Sequence, residues 1–233
     1  MESFDDLAAL NLGIHGARLY PQALSEIDIA ELRALADPIL AGQSGARIFG
    51  GEIAAAILAP KGALQRIATG IMGDAARPVR AILFDKNADA NWSAGWHQDR
   101  TIAVRERRET EGYGPWSVKG GAVHVEPPFE ILSTMITMRA HLDDCDRDNA
   151  PLLVAPGSHR LGRVRLPEID ATAKRLGAAC CLARAGDVWA HATAIIHASE
   201  RAHRPRRRRV LQIDFSANAL PAGLEWLGIA GDQ

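Results

Sequence analysis

The sequence predicts an α+β protein that is mainly β, and three observations carry that expectation. The first third is a series of helical patterns, short apolar segments of β character recur from Pro78 to Phe215, and long connections join those segments. Strands linked that way point to a jelly roll with its ligands inside.

The helices come first. From Ser25 the chain offers an N-cap, acidic residues in the first turn, and apolar positions at Ile29, Leu32 and Leu35 or Ala36, which predicts a helix ending near Pro38. Glu52 to Leu58 and Gly62 to Met72 are rich in Ala and Leu and are punctuated by Pro60 and Gly73, so they read as further helices. At Pro78 the pattern changes to Val79-Arg80-Ala81-Ile82-Leu83-Phe84. Segments of β character then follow at Gly95 to Ala103, Ile131 to Leu142, Leu152 to Ala155, Gly186 to His191 and Arg207 to Phe215. Between Arg105 and Pro128 the chain is charged, interrupted by Gly and Pro, and without clear periodicity. An excursion of that length is expected to be a lid or binding loop. The expected organisation is one domain over 1–233, with 1–77 as mainly helical support, 78–216 as the jelly-roll core and 104–128 as the lid.

Composition narrows the partners. The 233 residues carry 27 basic and 28 acidic side chains, a formal net charge of −1, so no global field favours nucleic acid or an anionic membrane. Cys145, Cys180 and Cys181 make no disulfide framework and no Cys-x-x-Cys pair, which suits a reducing cytoplasm. The N-terminus lacks a basic n-region, and no apolar run approaches the roughly 20 residues of a membrane span, so a soluble, unprocessed protein is expected. The run Arg204-Pro205-Arg206-Arg207-Arg208-Arg209 could be a nucleic-acid patch, but it lacks interleaved aromatics and leads directly into an apolar strand.

The chemistry centres on Trp96-His97-Gln98-Asp99. In an extended strand residues i and i+2 share a face, so the His97 imidazole and the Asp99 carboxylate point into one space. One more histidine would complete a 2-His-1-carboxylate set, which leaves the opposite face of a bound iron open. The candidates are His124, His141, His159, His191, His197 and His203. Context favours His197, because a basic strand follows it. In that strand Leu211, Ile213 and Phe215 share the face that can pack on helices, while Arg208, Val210 and Gln212 face the barrel interior. An arginine turned inward is costly unless an anion awaits it.

These residues, in this order, resemble the phytanoyl-CoA dioxygenase-like branch of the Fe(II)/2-oxoglutarate-dependent oxygenases. Lys86 follows the strand ending Ile82-Leu83-Phe84-Asp85. Trp96-His97-Gln98-Asp99 matches the family's His-x-Asp. Leu142-Asp143-Asp144 and Asn149-Ala150-Pro151-Leu152 precede Pro156-Gly157-Ser158-His159, and Gly186-Asp187 precedes the distal histidine. The family's distal pattern is a histidine, a serine two residues on and an arginine eleven residues on. His197, Ser199 and Arg208 satisfy it, whereas His191 meets Ala202 and His203 meets Asp214. Ala150 departs from the family's usual glycine, at a turn rather than at a ligand.

The resemblance implies a cupin-like double-stranded β-helix with the N-terminal helices packed on its outer sheet. It implies Fe(II) held by His97, Asp99 and His197, and 2-oxoglutarate held through its 5-carboxylate by Arg208 and Ser199, with Lys86 as a further cosubstrate contact. It also implies O2 as the oxidant, succinate and CO2 as products, and hydroxylation of a small organic substrate. Related halogenases replace the carboxylate with a small residue, and this chain keeps Asp99. Trp96, Gln98 and His159 read as structural, and Trp116 as either a substrate contact or a loop anchor. A zinc-dependent cupin-like hydrolase could use the same three ligands but has no general need for Arg208, and the intact ligand set argues against a non-catalytic metal-binding protein.

Overall fold

The computed structural model describes residues 10–230. Met1–Ala9, most of the stretch behind the expectation of an unprocessed N-terminus, lie outside the described residues.

A one-turn helix α1 (Leu12–His15) is capped by Asn11 and leads into β1 (Ala17–Tyr20). Ser25 caps α2 (Glu26–Ile39) through a capping box with Asp28, each side chain accepting from the other's backbone N–H. Pro38 falls in the last turn of α2, which ends one residue later at Ile39, near the expected position. Next come β2 (Gly45–Arg47), α3 (Gly51–Leu58) and α4 (Ala63–Met72). Strand β3 (Arg77–Lys86) is followed by β4 (Ala94–Gln98), β5 (Ile102–Val104), β6 (Trp116–Lys119) and β7 (Ala122–Val125). Helix α5 (Phe129–Ser133) precedes β8 (Ile136–His141) and β9 (Leu152–Val154). The chain then forms α6 (Ile169–Leu176), β10 (Ala179–Cys181), β11 (Val188–Ala192), β12 (Ile196–Ser199) and β13 (Arg208–Ser216).

The strands make a jelly roll of two principal antiparallel sheets, one ordered β1-β11-β8-β13-β3-β2 and the other β10-β9-β12-β4. Helices α2, α3 and α4 cover the outside of the larger sheet. Leu32, Ile53, Ile57 and Leu64 join Ala81, Leu83, Met138, Leu211, Ile213 and Phe215 in one buried cluster. Strict alternation therefore turns the other face of β3 and β13 inward, with Arg80, Ile82, Phe84 and Lys86 lying opposite Asp214, Gln212, Val210 and Arg208. The smaller sheet is backed by α6, where Ile169 and Ala173 pack with Ile196 and the ring of Trp96.

Three expectations need correction. Residues 105–128 are not an irregular loop: they contain the β6–β7 hairpin, whose β7 also pairs with β5 in a third sheet. Gly120 and Gly121, at φ 54° and 79°, form its two-residue turn, and the Gly-Gly dipeptide was the available signal. The expected strand from Gly95 to Ala103 is broken between Gln98 and Ile102, and the first part of Ile131 to Leu142 is the short helix α5. Helix α6 was not anticipated, nor were the short strands β1, β2 and β10, whose three or four residues carry too little alternation to register.

Among the described residues, no helix is long and apolar enough to cross a membrane.

Candidate metal centre

Strand β12 pairs with β4 so that His197 stands opposite His97, with ring centroids 4.2 Å apart. Each Nδ1 faces a backbone carbonyl two residues earlier, at 2.7 Å from Gly95 for His97 and at 3.0 Å from Ile195 for His197. A carbonyl accepts only, so Nδ1 carries the proton and Nε2 is left with a free lone pair. Burial pushes His197 down to about 4, which keeps it neutral at ordinary pH.

Asp99 lies one residue beyond the end of β4, so strand alternation alone does not orient it. Arg80 on the opposite sheet does, with Nη2 3.8 Å from the carboxylate. Burial would raise the Asp99 pKa, but His197, Arg80, His97 and His191 together hold it below the ordinary carboxylate value. One ligand atom from each of His97, Asp99 and His197 lies within 4.8 Å of the others. Two imidazoles and an ionised carboxylate gathered at that spacing are a donor set suited to a divalent transition metal.

A second constellation lies further along the same interior. Ser199 follows His197 by two residues and so shares its face, about 7 Å away. On the facing sheet Arg208 pairs with Lys86, and both are almost completely buried. Lys86 Nζ donates to the Glu200 carbonyl at 2.6 Å and to Ser199 Oγ at 3.3 Å. Arg208 Nη1 donates to the Ala150 carbonyl, while its Nε and Nη2 are buried without a partner. Burial, and then the Arg208 charge, lower Lys86 to about 8. Two adjacent buried cations with unused donors make a cradle for an anion.

Other residues of the interior, among them Thr137, Arg139 and the Arg80–Asp214 pair, were given no role in the sequence reading. Arg80 Nε donates to Asp214 at 2.5 Å, and Thr137 Oγ1 donates to the same carboxylate at 2.9 Å. Arg139 donates to Gln212, and both ring nitrogens of the buried His141 lack partners. In β8 the polar Thr137, Arg139 and His141 alternate with Ile136, Met138 and Ala140, the same signal that singled out Arg208 in β13.

The remaining expectations divide. Gln98 is structural, donating to the Gly162 and Ala194 carbonyls and accepting from the Val164 N–H. His159 packs so closely on Gly16 that a Cβ there would fall 2.4 Å from the ring. Trp116 packs in the apolar cluster beneath the hairpin with Val125 and Leu132, as an anchor. His191 lies 5.8 Å from His197 ring to ring, outside the set of three, and His124 and His141 belong to other strands.

The family model described as phytanoyl-CoA dioxygenase (PhyH) matches residues 16–210. No curated protein matches the sequence. Among solved structures, EvdMO1 aligns with a TM-score of 0.66 at 19% identity over 91% of this chain, which spans 48% of that protein's chain. EctD from S. alaskensis with bound Fe aligns with a TM-score of 0.66 at 18% identity over 100% of this chain and 88% of its own. HygX from Streptomyces hygroscopicus, with nickel and 2-oxoglutarate bound, aligns with a TM-score of 0.61 at 12% identity over 88% of this chain and 84% of its own. At these identities the likeness is one of fold.

Proposed function

Because the chain belongs to the phytanoyl-CoA dioxygenase (PhyH) family, we propose that it is a non-haem Fe(II)/2-oxoglutarate-dependent dioxygenase that hydroxylates a small organic substrate. His97, Asp99 and His197 are its iron ligands in this reading, and the whole chain acts as one catalytic domain. The observation that carries it is the conjunction of that three-ligand set with Arg208, whose Nε and Nη2 are buried and unpartnered inside the same barrel. A bare divalent-metal site has no use for such a guanidinium, whereas a dicarboxylate cosubstrate needs one.

The donors present fit the metal: His97 and His197 each turn Nε2 away from the carbonyl that engages Nδ1, and Asp99 is ionised beside Arg80. Iron, when bound, couples O2 reduction to oxidative decarboxylation of 2-oxoglutarate and to oxidation of the substrate. The chain's own work is binding and placement. Arg208, Ser199 and Lys86 hold the 5-carboxylate, which directs the keto-acid end toward the ligand set. The Arg80 guanidinium pairs with both Asp214 and Asp99, sharing one positive charge between two carboxylates, and holds the Asp99 carboxylate in place. Three free cysteines, two of them buried, suit a reducing cytoplasmic setting.

The test is anaerobic addition of Fe(II) and then 2-oxoglutarate to the metal-free protein, watching for the weak visible charge-transfer band of the chelate. The band is expected in the wild type and is expected to disappear, at the same 2-oxoglutarate concentration, in Arg208→Ala. No band, together with tight zinc binding and indifference to 2-oxoglutarate, would overturn the proposal in favour of a hydrolase or a binding protein.

A further inference from the structure

A cleft of about 820 Å³ opens between β2, β3 and the turn of the β6–β7 hairpin, a volume suited to a small-molecule ligand. Its lining includes Phe49, Ile82, Phe84, Trp92, Arg47 and Gly120. The floor belongs to the barrel interior: Ala81 and Leu83 face the helices, so Ile82 and Phe84 face inward together with Arg80. Arg80 is two residues from Ile82, about 7 Å along the strand, and reaches Asp99. The strand that floors the cleft therefore also carries the arginine beside the candidate metal site.

Among the described residues, Arg47 is the only charged side chain lining this cleft. Its Cα pairs with that of Ile82, which turns it to the same inner face. Nη1 is buried without a hydrogen-bond partner, and among the described residues the guanidinium makes no ion pair. Burial and the nearby Arg80 charge both disfavour its cationic form, and the one carboxylate that favours it, Asp214, is already bonded to Arg80. The hairpin turn closes over this arginine. A Cβ at Gly120 would fall 2.9 Å from Arg47 Nε, and Lys119 Nζ ties the same turn to Thr101 Oγ1 at 3.1 Å, just after Asp99.

The apolar side of the cleft has a matching character. Phe84 and Trp92 meet at 5.9 Å between ring centroids and 49° between planes, and Phe49 at the rim is 48% exposed. We propose that this cleft binds the primary substrate and selects a small organic anion, with a flat apolar body against Phe84, Trp92 and Phe49 and a carboxylate or phosphate on Arg47. This deepens the oxygenase reading and rests on it for the word substrate. The binding claim stands on the cleft alone.

Three probes test it by isothermal titration: 3-phenylpropanoate, phenyl phosphate and the neutral 3-phenylpropanol. Each is added anaerobically to protein loaded with Fe(II) and 2-oxoglutarate, and separately to metal-free protein. At least one anion is expected to bind tenfold or more tightly than the alcohol, and the tighter of the two identifies the headgroup. Arg47→Gln should erase that preference while 2-oxoglutarate affinity is unchanged, and Arg208→Gln should do the reverse. Ile82→Trp, which keeps Arg47 and fills the cleft, should weaken all three probes. Equal binding of anions and alcohol, or an anion preference that survives Arg47→Gln, overturns the proposal. Failure of 2-oxoglutarate to bind, with the Arg47-dependent preference intact in metal-free protein, would remove the oxygenase reading and leave the cleft assignment standing.

Discussion

His97 and His197 face each other across the β4–β12 pair, 100 positions apart in sequence and 4.2 Å apart between ring centroids. Each is fixed in one tautomer by the carbonyl two residues before it. That relationship sets what the site can do and how it can be broken.

Removing one donor should uncouple metal from fold. Asp99→Ala and His197→Ala are each expected to weaken Fe(II) binding by more than ~100-fold, beyond the range seen for loss of an outer-shell partner. Anaerobic metal titration reads the effect, and the far-UV circular dichroism should stay that of the wild type.

Lys86 gives the cosubstrate site a pH limit. Its ammonium is held at about 8 in the free protein, so the cation that favours anion binding is present below that pH and is lost above it. Affinity for 2-oxoglutarate should fall as pH rises through about 8 and should lose that dependence in Lys86→Met. A flat wild-type profile from pH 7 to pH 9 would place Lys86 outside the anion site.

Arg80 and Asp214 form a buried pair, 14% and 4% exposed. Arg80→Met strands the Asp214 charge, and the expected loss is about 3 kcal/mol in urea unfolding. The double variant Arg80→Met, Asp214→Leu should recover most of that stability. It should not recover metal affinity, because Asp99 loses its orienting partner in both.

His124 is fully buried in β7, and burial, aided by Arg47, Arg80 and Lys119, lowers it to about 4. The unfolded chain therefore binds a proton near pH 6.5 that the native state refuses until near pH 4, so stability must fall as pH drops through that window. From pH 7 to pH 5 this one group should cost on the order of 2 kcal/mol. His124→Leu should flatten that part of the stability profile.

Ala150 sits at φ 51° with its carbonyl accepting from Arg208. A Cβ in that region is strained, so Ala150→Gly should stabilise the fold by about 1 kcal/mol, measured as a shift in thermal midpoint. The departure from the family's glycine is thus a backbone cost at the turn that orients the candidate cosubstrate arginine.

The local code was legible wherever one segment carried its own evidence. Ser25 and Asp28 announced α2, and the alternation of Arg208, Val210 and Gln212 against Leu211, Ile213 and Phe215 told which face of β13 turns inward. The strand pattern of His97 and Asp99 suggested half of a ligand set, and the resemblance to the family's distal pattern picked out His197. What sequence could not supply was convergence. Asp99 lies beyond its strand and depends on an arginine from the opposite sheet. The arginine run that resembled a surface patch is distributed by strand and loop geometry: Arg206 pairs with Asp146, Arg207 with Asp37 and Asp85, and Arg209 with Asp143 and Asp37, while Arg208 alone turns inside. Arg47 was silent, and the hairpin over it was marked only by its Gly-Gly turn, because a three-residue strand and two four-residue strands show almost no periodicity. Pattern along a chain reveals which face a residue takes. Only the closing of one sheet over another decides which residues from distant strands meet there, because pairing partners are chosen by burial across the whole molecule.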